Sequence, residues 1–214
     1  MTPLWLTRII PDPRNRDARR DTDDAVALHH RVMQLFPDDL DANARHEAGV
    51  LFRVDDTPRG SVILVQSVLE PDLSRLPQGY GSTAGRHLTP LLEKLRAGNS
   101  VHYRITANAT RKLGANTTAG RPRQILPLHG EEAVAWWHDR ATAAGLTLHT
   151  VYGFELDDAA GRRRPTKTLI RHARTRFDGI ATVTDPTLLT ERMAAGFGRG
   201  KSYGCGLLTL APAA

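Results

Sequence analysis

Close to its C-terminus the chain runs Gly196-Phe197-Gly198-Arg199-Gly200-Lys201-Ser202-Tyr203-Gly204-Cys205-Gly206-Leu207-Leu208, in which five glycines space two cations and Ser202. Glycine lacks a Cβ, so such a loop lets backbone N–H groups come close to a ligand, and Arg199 and Lys201 add charge suited to phosphate. A nucleotide-binding P-loop is excluded by spacing. The position of that motif's first glycine is Ala195, and an apolar strand follows the loop where a helix is required. The ligand implied is a phosphate-bearing molecule larger than a nucleotide.

His29 is the second candidate. Ala25, Leu28, Val32, Leu35 and Phe36 share one face at helical spacing, His29 falls on the flank of that stripe, and His30 points almost directly away. An imidazole titrates near neutral pH and both takes and gives protons. His29 therefore reads either as an acid–base group beside a groove or as a boundary histidine bonded to backbone. The other histidines, at 46, 87, 102, 129, 138, 149 and 172, show no pairing with carboxylates or with Cys205 at zinc-site spacing, so no metal is expected. Trp137 lies on the apolar face of its own helix and reads as packing, not base stacking.

The elements that must hold these residues alternate in type. A strand over residues 4–10 leads through an arginine-rich connector, 12–20, to acidic residues 21–24 and a helix ending near Phe36. A hairpin follows over 49–54 and 61–68, then a Pro/Gly-rich stretch, 71–90, and a short helix, 91–96. The second half gives a strand over 100–107, a helix over 130–144, strands over 146–156 and 168–185, a helix over 186–195 and a last strand over 206–210. Strand, helix, strand, strand occurs twice. The fold class expected is α+β with tandem ferredoxin-like (RRM-like) βαββαβ domains, residues 1–97 carrying the His29 helix and 98–214 carrying the glycine loop. Open sheets of this type are commonly used for RNA.

Charge agrees with a polyanionic partner: 29 Lys and Arg against 23 Asp and Glu give a net charge of +6 and a pI near 10.0. The cations cluster at Arg14, Arg16, Arg19 and Arg20 before the His29 helix, and at Arg162, Arg163, Arg164 and Lys167 in a hairpin turn. Arg111 and Lys112 follow a strand. Each cluster reads either as a phosphate-contacting surface or as a solvated loop. A single cysteine, Cys205, excludes an internal disulfide and fits a reducing compartment, hence the cytoplasm. No apolar run is long enough to span a membrane, and no membrane partner is expected.

Several stretches together resemble a known family over nearly the whole chain. They are Trp5-Leu6-Thr7-Arg8, the segment from His29 to Gln34-Leu35-Phe36-Pro37, Ile63-Leu64-Val65-Gln66-Ser67, Tyr103-Arg104-Ile105-Thr106-Ala107-Asn108 with Lys112 beyond, and Gly196 through Pro212. The family is the CasE group of CRISPR-associated repeat-processing endoribonucleases of type I-E systems. The resemblance implies a protein that binds the stem-loop of a CRISPR repeat transcript, cuts at the 3′ side of the stem, and stays with its product among the other Cascade subunits. It implies no metal or other cofactor. It also implies His29 as the catalytic residue in attack of a ribose 2′-oxygen on the adjacent phosphate, leaving a 2′,3′-cyclic phosphate and a 5′-hydroxyl. One position departs from the family pattern: the tyrosine that many members carry one helical turn before the histidine is Val26 here. The second catalytic role is therefore unassigned, with His30, Arg31, Lys201 and Ser202 as candidates for stabilising charge on the phosphate. A non-catalytic or weakly catalytic RNA-binding subunit of the same complex is the alternative.

Overall fold

The computed structural model describes residues 3–38, 48–163, 166 and 168–213. In chain order the first half contains β1 (Trp5–Pro11), α1 (Arg16–Asp23), α2 (Ala25–Met33), β2 (Leu51–Thr57), β3 (Gly60–Ser67), β4 (Gly81–His87) and the single turn α3 (Thr89–Leu92). The second half contains β5 (Ser100–Ala107), the short ribbon β6 (Thr110–Lys112) with β7 (Ile125–Pro127), and α4 (Gly130–Thr142). It continues with the long strands β8 (Leu146–Arg163) and β9 (Thr168–Val183), then α5 (Pro186–Ala195) and β10 (Leu208–Pro212).

Two four-stranded antiparallel sheets result, ordered β2-β3-β1-β4 and β10-β5-β9-β8. Each has its first and third strands at the centre and its last strand beside the first, which is the ferredoxin-like arrangement in tandem. The second unit carries both helices of the pattern, α4 and α5. In the first unit the segment between β3 and β4 holds only a 3-10 turn at Leu73–Arg75, and among the described residues the helices of that unit beside its sheet are α1 and α2 with the single turn α3.

Local chemistry explains where the elements begin. Asn15 caps α1 by accepting from the Ala18 N–H at 3.0 Å, and Asp24 caps α2 by accepting from the Val26 and Ala27 N–H groups, each at 2.8 Å. The arginine connector is thus a helix over most of its length, because the Asn15 cap and the neighbouring Asp17 outweigh its lack of an apolar face. The Pro/Gly-rich stretch hides β4. Its seven residues are all exposed, and it is held as an edge strand by register with β1 from Trp5↔His87 to Pro11↔Gly81. The strand expected to stop at residue 156 continues to Arg163, since a register shift between Leu156 and Ala159 lets β8 resume pairing with β9 as far as Arg163↔Thr168.

The buried face of α2 is Val26, Leu28 and Val32, continued by Leu35 and Phe36. Ala25, expected inside, is only partly buried. Val26, outside the expected stripe, is buried because β8 packs on it: Gly161 lies so close to α2 that a Cβ there would meet the Val26 N at 2.8 Å and Cγ2 at 2.9 Å. In the second unit Trp137 is fully buried, stacked on Phe177 and edge-on to Phe197, a packing role as its position on α4 predicts.

Candidate active site

His29 projects from α2 at the margin of the first unit's core, partly exposed, while His30 beside it is exposed. The two rings still stand 5.7 Å apart between centroids, so His30 remains a neighbour of His29 although the helix turns it outward. On the other flank, Tyr203 brings its ring to 6.1 Å from His29. Tyr203 ends a 3-10 turn, Lys201–Tyr203, between two glycines in left-handed conformation, Gly200 and Gly204.

The glycine loop holds this position through close protein contacts. Gly196 has φ +72° and a Cβ there would strike the Leu51 side chain at 2.7 Å. Gly206 has φ +90° and would strike the Phe197 carbonyl at 2.5 Å. These two glycines let the loop fold back on itself against β2. Lys201 donates from Nζ to the Ala195 carbonyl at 2.7 Å, closing the same loop. Arg199, exposed, bridges through its backbone to Asn108, whose side chain donates to the Ala173 carbonyl on β9 at 2.7 Å. Cys205 is fully buried, and burial pushes its thiol up to about 12, so it stays protonated at neutral pH.

The β8–β9 hairpin supplies the third wall. The Arg162 N–H donates to Asp24 at 3.3 Å, and the Arg163 guanidinium donates to the Tyr203 hydroxyl oxygen at 3.3 Å. From β9, His172 stacks on the Tyr203 ring at 5.0 Å. Burial first, and Arg199 second, hold the His172 imidazole below its usual range, against a smaller opposing pull from Asp158. Three elements distant in sequence therefore converge: α2 with His29, the glycine loop with Lys201, Ser202 and Tyr203, and the hairpin with Arg163 and His172.

The remaining cations divide by partner. Arg31 is largely covered, with its side chain 13% exposed, and donates to Asp21 at 2.7 Å and to Gln34 at 2.8 Å while lying over the Tyr80 ring. Arg20 pairs with the same buried Asp21 at 2.8 Å and with Asp17 at 3.0 Å. Those two guanidiniums neutralise an acidic pair between α1 and α2, whereas Arg16 and Arg19 are exposed on α1. Arg111 and Lys112 sit exposed on β6, where Arg111 pairs with Glu132 of α4 at 3.1 Å. Arg164 and Lys167 lie outside the described residues. Among the described residues no group of three or more His, Cys, Asp or Glu side chains is arranged to hold a metal ion, and no helix is long and apolar enough to cross a membrane.

Sequence reasoning passes over Tyr203 and His172. Neither sits in a periodic pattern, and only the fold brings residue 172 against residue 203. The one signal in the sequence is that Tyr203 shares its loop with the cations Arg199 and Lys201.

Residues 4–212 match the family model described as CRISPR associated protein. The chain is 29% identical over 222 residues to the CRISPR-associated endoribonuclease Cse3 of Thermus thermophilus, covering 98% of this chain and 100% of that one. A solved structure of CRISPR endoribonuclease Cse3 bound to a 19-nucleotide RNA superimposes with a TM-score of 0.81 at 27% identity, over 97% of this chain and 100% of that one. A chain of a CRISPR RNA-guided surveillance complex in a pre-nicking state superimposes with a TM-score of 0.71 at 40% identity, over 98% of this chain and 100% of the other.

Proposed function

This chain belongs to the CRISPR-associated protein family, and from that premise we propose that it is a metal-independent endoribonuclease that binds and cleaves CRISPR repeat stem-loops. It produces mature guide RNA and stays bound to it as a subunit of a Cascade-type surveillance complex in the cytoplasm. The observation that carries this reading is the placement of His29, partly exposed on α2, beside a glycine loop and a basic hairpin that arrive from the other unit. Division of labour follows the two units, with residues 1–97 supplying the imidazole and 98–214 supplying most of the surroundings of the phosphate.

The RNA brings its own nucleophile. Attack of the ribose 2′-oxygen on the adjacent phosphorus forms the 2′-O–P bond and breaks the P–5′-O bond, so the enzyme needs only to move protons, hold the oxygens in line and offset charge on the phosphate. A neutral imidazole accepts the 2′-hydroxyl proton at neutral pH. In this reading the backbone of the glycine turn with Arg199, Lys201 and Ser202 serves the scissile phosphate, Arg16, Arg19, Arg162 and Arg163 serve the stem phosphates, which in an A-form helix are read by shape and charge, and Arg164 and Lys167 join them on the sequence alone. Arg20, His30, Arg31, Arg111 and Lys112 complete the proposed RNA-binding set, with Arg20 and Arg31 acting from within their ion pairs.

The test is cleavage of the repeat hairpin by the purified chain in excess chelator, with mapped product ends. His29→Ala is expected to slow cutting by at least about 10²-fold, the lower end of what a general acid–base group contributes, with hairpin affinity changed little. Cleavage at the wild-type rate by His29→Ala removes His29 from the mechanism, and loss of wild-type cleavage in chelator removes metal independence. A second reading, an RNA-binding subunit without cleavage, is favoured by Val26 and predicts binding with intact RNA in every sample.

A further inference from the structure

We propose that Tyr203 is the second catalytic residue of this chain, the general acid that protonates the departing 5′-oxygen. The inference rests on the endoribonuclease reading above. It starts from Val26, which lies one helical turn before His29, is 6% exposed and is packed against the backbone of Gly161. That position is a packing contact between α2 and β8 and has no proton to give. The glycine loop brings a phenol beside the imidazole instead: the Tyr203 and His29 ring centroids are 6.1 Å apart.

Its surroundings fit the task. The Arg163 guanidinium donates to the phenol oxygen at 3.3 Å, which leaves the phenol proton available for donation and places a cation where phenolate charge would develop. The stacked His172 fixes the ring at 5.0 Å. An imidazole nitrogen has a lone pair that takes a proton and a phenol hydroxyl has a proton to give, so between His29 and Tyr203 the roles divide as base and acid. The alternatives fit less well. Lys201 is engaged with the Ala195 carbonyl, the Ser202 hydroxyl is a far weaker acid than a phenol, and His30 is turned outward on α2.

The step balances. The 2′-hydroxyl proton passes to His29 as the 2′-O–P bond forms, the Tyr203 proton passes to the 5′-oxygen as the P–5′-O bond breaks, and the imidazolium then returns its proton to the phenolate, directly or through water. The enzyme leaves the cycle unchanged.

Tyr203→Phe keeps the ring and its stacking on His172 and removes the hydroxyl together with the hydrogen bond from Arg163, so a change of leaving group is needed to tell loss of the acid from loss of that contact. Single-turnover cleavage of the repeat hairpin by Tyr203→Phe is expected to fall 10²- to 10⁴-fold with affinity within about twofold of wild type. A hairpin carrying sulfur in place of the scissile 5′-oxygen has a leaving group that needs no proton. It is expected to restore Tyr203→Phe to within about tenfold of wild type while leaving His29→Ala slow. Full-rate cleavage of the ordinary hairpin by Tyr203→Phe overturns the proposal while the nuclease reading stands. A slow variant that sulfur does not rescue overturns the acid role as well. Failure of the wild-type chain to cut overturns both readings together.

Discussion

His29 is legible in the sequence because helical spacing alone puts it on the rim of an apolar stripe, and it stands there in the fold. Tyr203 is not, because its use depends on where a loop 174 residues further along comes to rest. His172 shows the same limit from another side. It reads as an ordinary strand residue, yet its ring is stacked on Tyr203, and burial together with Arg199 keeps its imidazole below the usual range. The sign of the consequence is fixed. The unfolded chain binds the proton more readily than the folded one, so His172's contribution to stability is full above the ordinary histidine value near 6.5 and is lost as pH falls through that value toward the lowered one. The groups facing it are Tyr203, Arg199 and Asp158, and an added charge on His172 would meet Arg199 directly. His172→Phe keeps an aromatic stack and removes the titration. Its urea midpoint is expected to drop less than that of wild type between about pH 7.5 and pH 5, either side of the ordinary histidine value. An equal drop in both would show that His172 does not sense acid.

At the scale of elements, period and turn chemistry identify both sheets' central strands and α4 and α5, and fail where an element is stabilised by its neighbour. β4 has Gly, Ser, Thr, Ala and Arg along an exposed edge, a poor strand sequence by composition, and exists because β1 offers it a ladder. The far half of β8 lies beyond residue 156, where the strand is expected to stop, and becomes strand because β9 continues opposite it. That extension carries Arg162 and Arg163 past the second sheet to α2 and the glycine loop. If the hairpin arm meets the RNA stem, each phosphate it neutralises releases counterions. Replacing Arg162, Arg163 and Arg164 together by alanine is expected to weaken hairpin binding and make the slope of log affinity against log salt shallower, by about one unit for each phosphate no longer neutralised. A filter-binding series across salt that gives parallel lines for variant and wild type would place the arm away from the phosphates.

Across the whole molecule the candidate site is built from both units, and a single arginine bonds one sheet to the other. Arg53 sits on β2, where alternation along the strand gives no hint of a buried cation, because Leu51, Phe52 and Arg53 are all covered. Its side chain is 2% exposed, forks onto Asp55 at 2.8 and 2.9 Å, and turns its remaining nitrogen to the second unit. There Nη1 donates to the Arg104 carbonyl at 2.9 Å, the Leu207 carbonyl at 3.2 Å and the Thr209 hydroxyl at 3.1 Å. Leu207 directly follows the glycine loop, so this guanidinium ties the first sheet to the exit of the loop that carries Tyr203. Burial lowers its proton affinity, and Asp55 opposes that by hydrogen bond and charge. Removing one member of such a pair leaves the other charge without its partner and deprives the carbonyls of their donor, a destabilisation of about 3 kcal/mol or more. Arg53→Met is therefore expected to lower the urea midpoint and to slow cleavage without touching RNA, because the glycine loop loses its anchor to β2. Arg53→Lys keeps the charge but not the fork, and is expected to recover only part of either property. Arg53→Met combined with Asp55→Leu removes the stranded carboxylate and is expected to regain stability more than activity. If that double variant cleaves at the wild-type rate, the two sheets keep the site aligned without Arg53, and its bonds to the second unit serve stability alone.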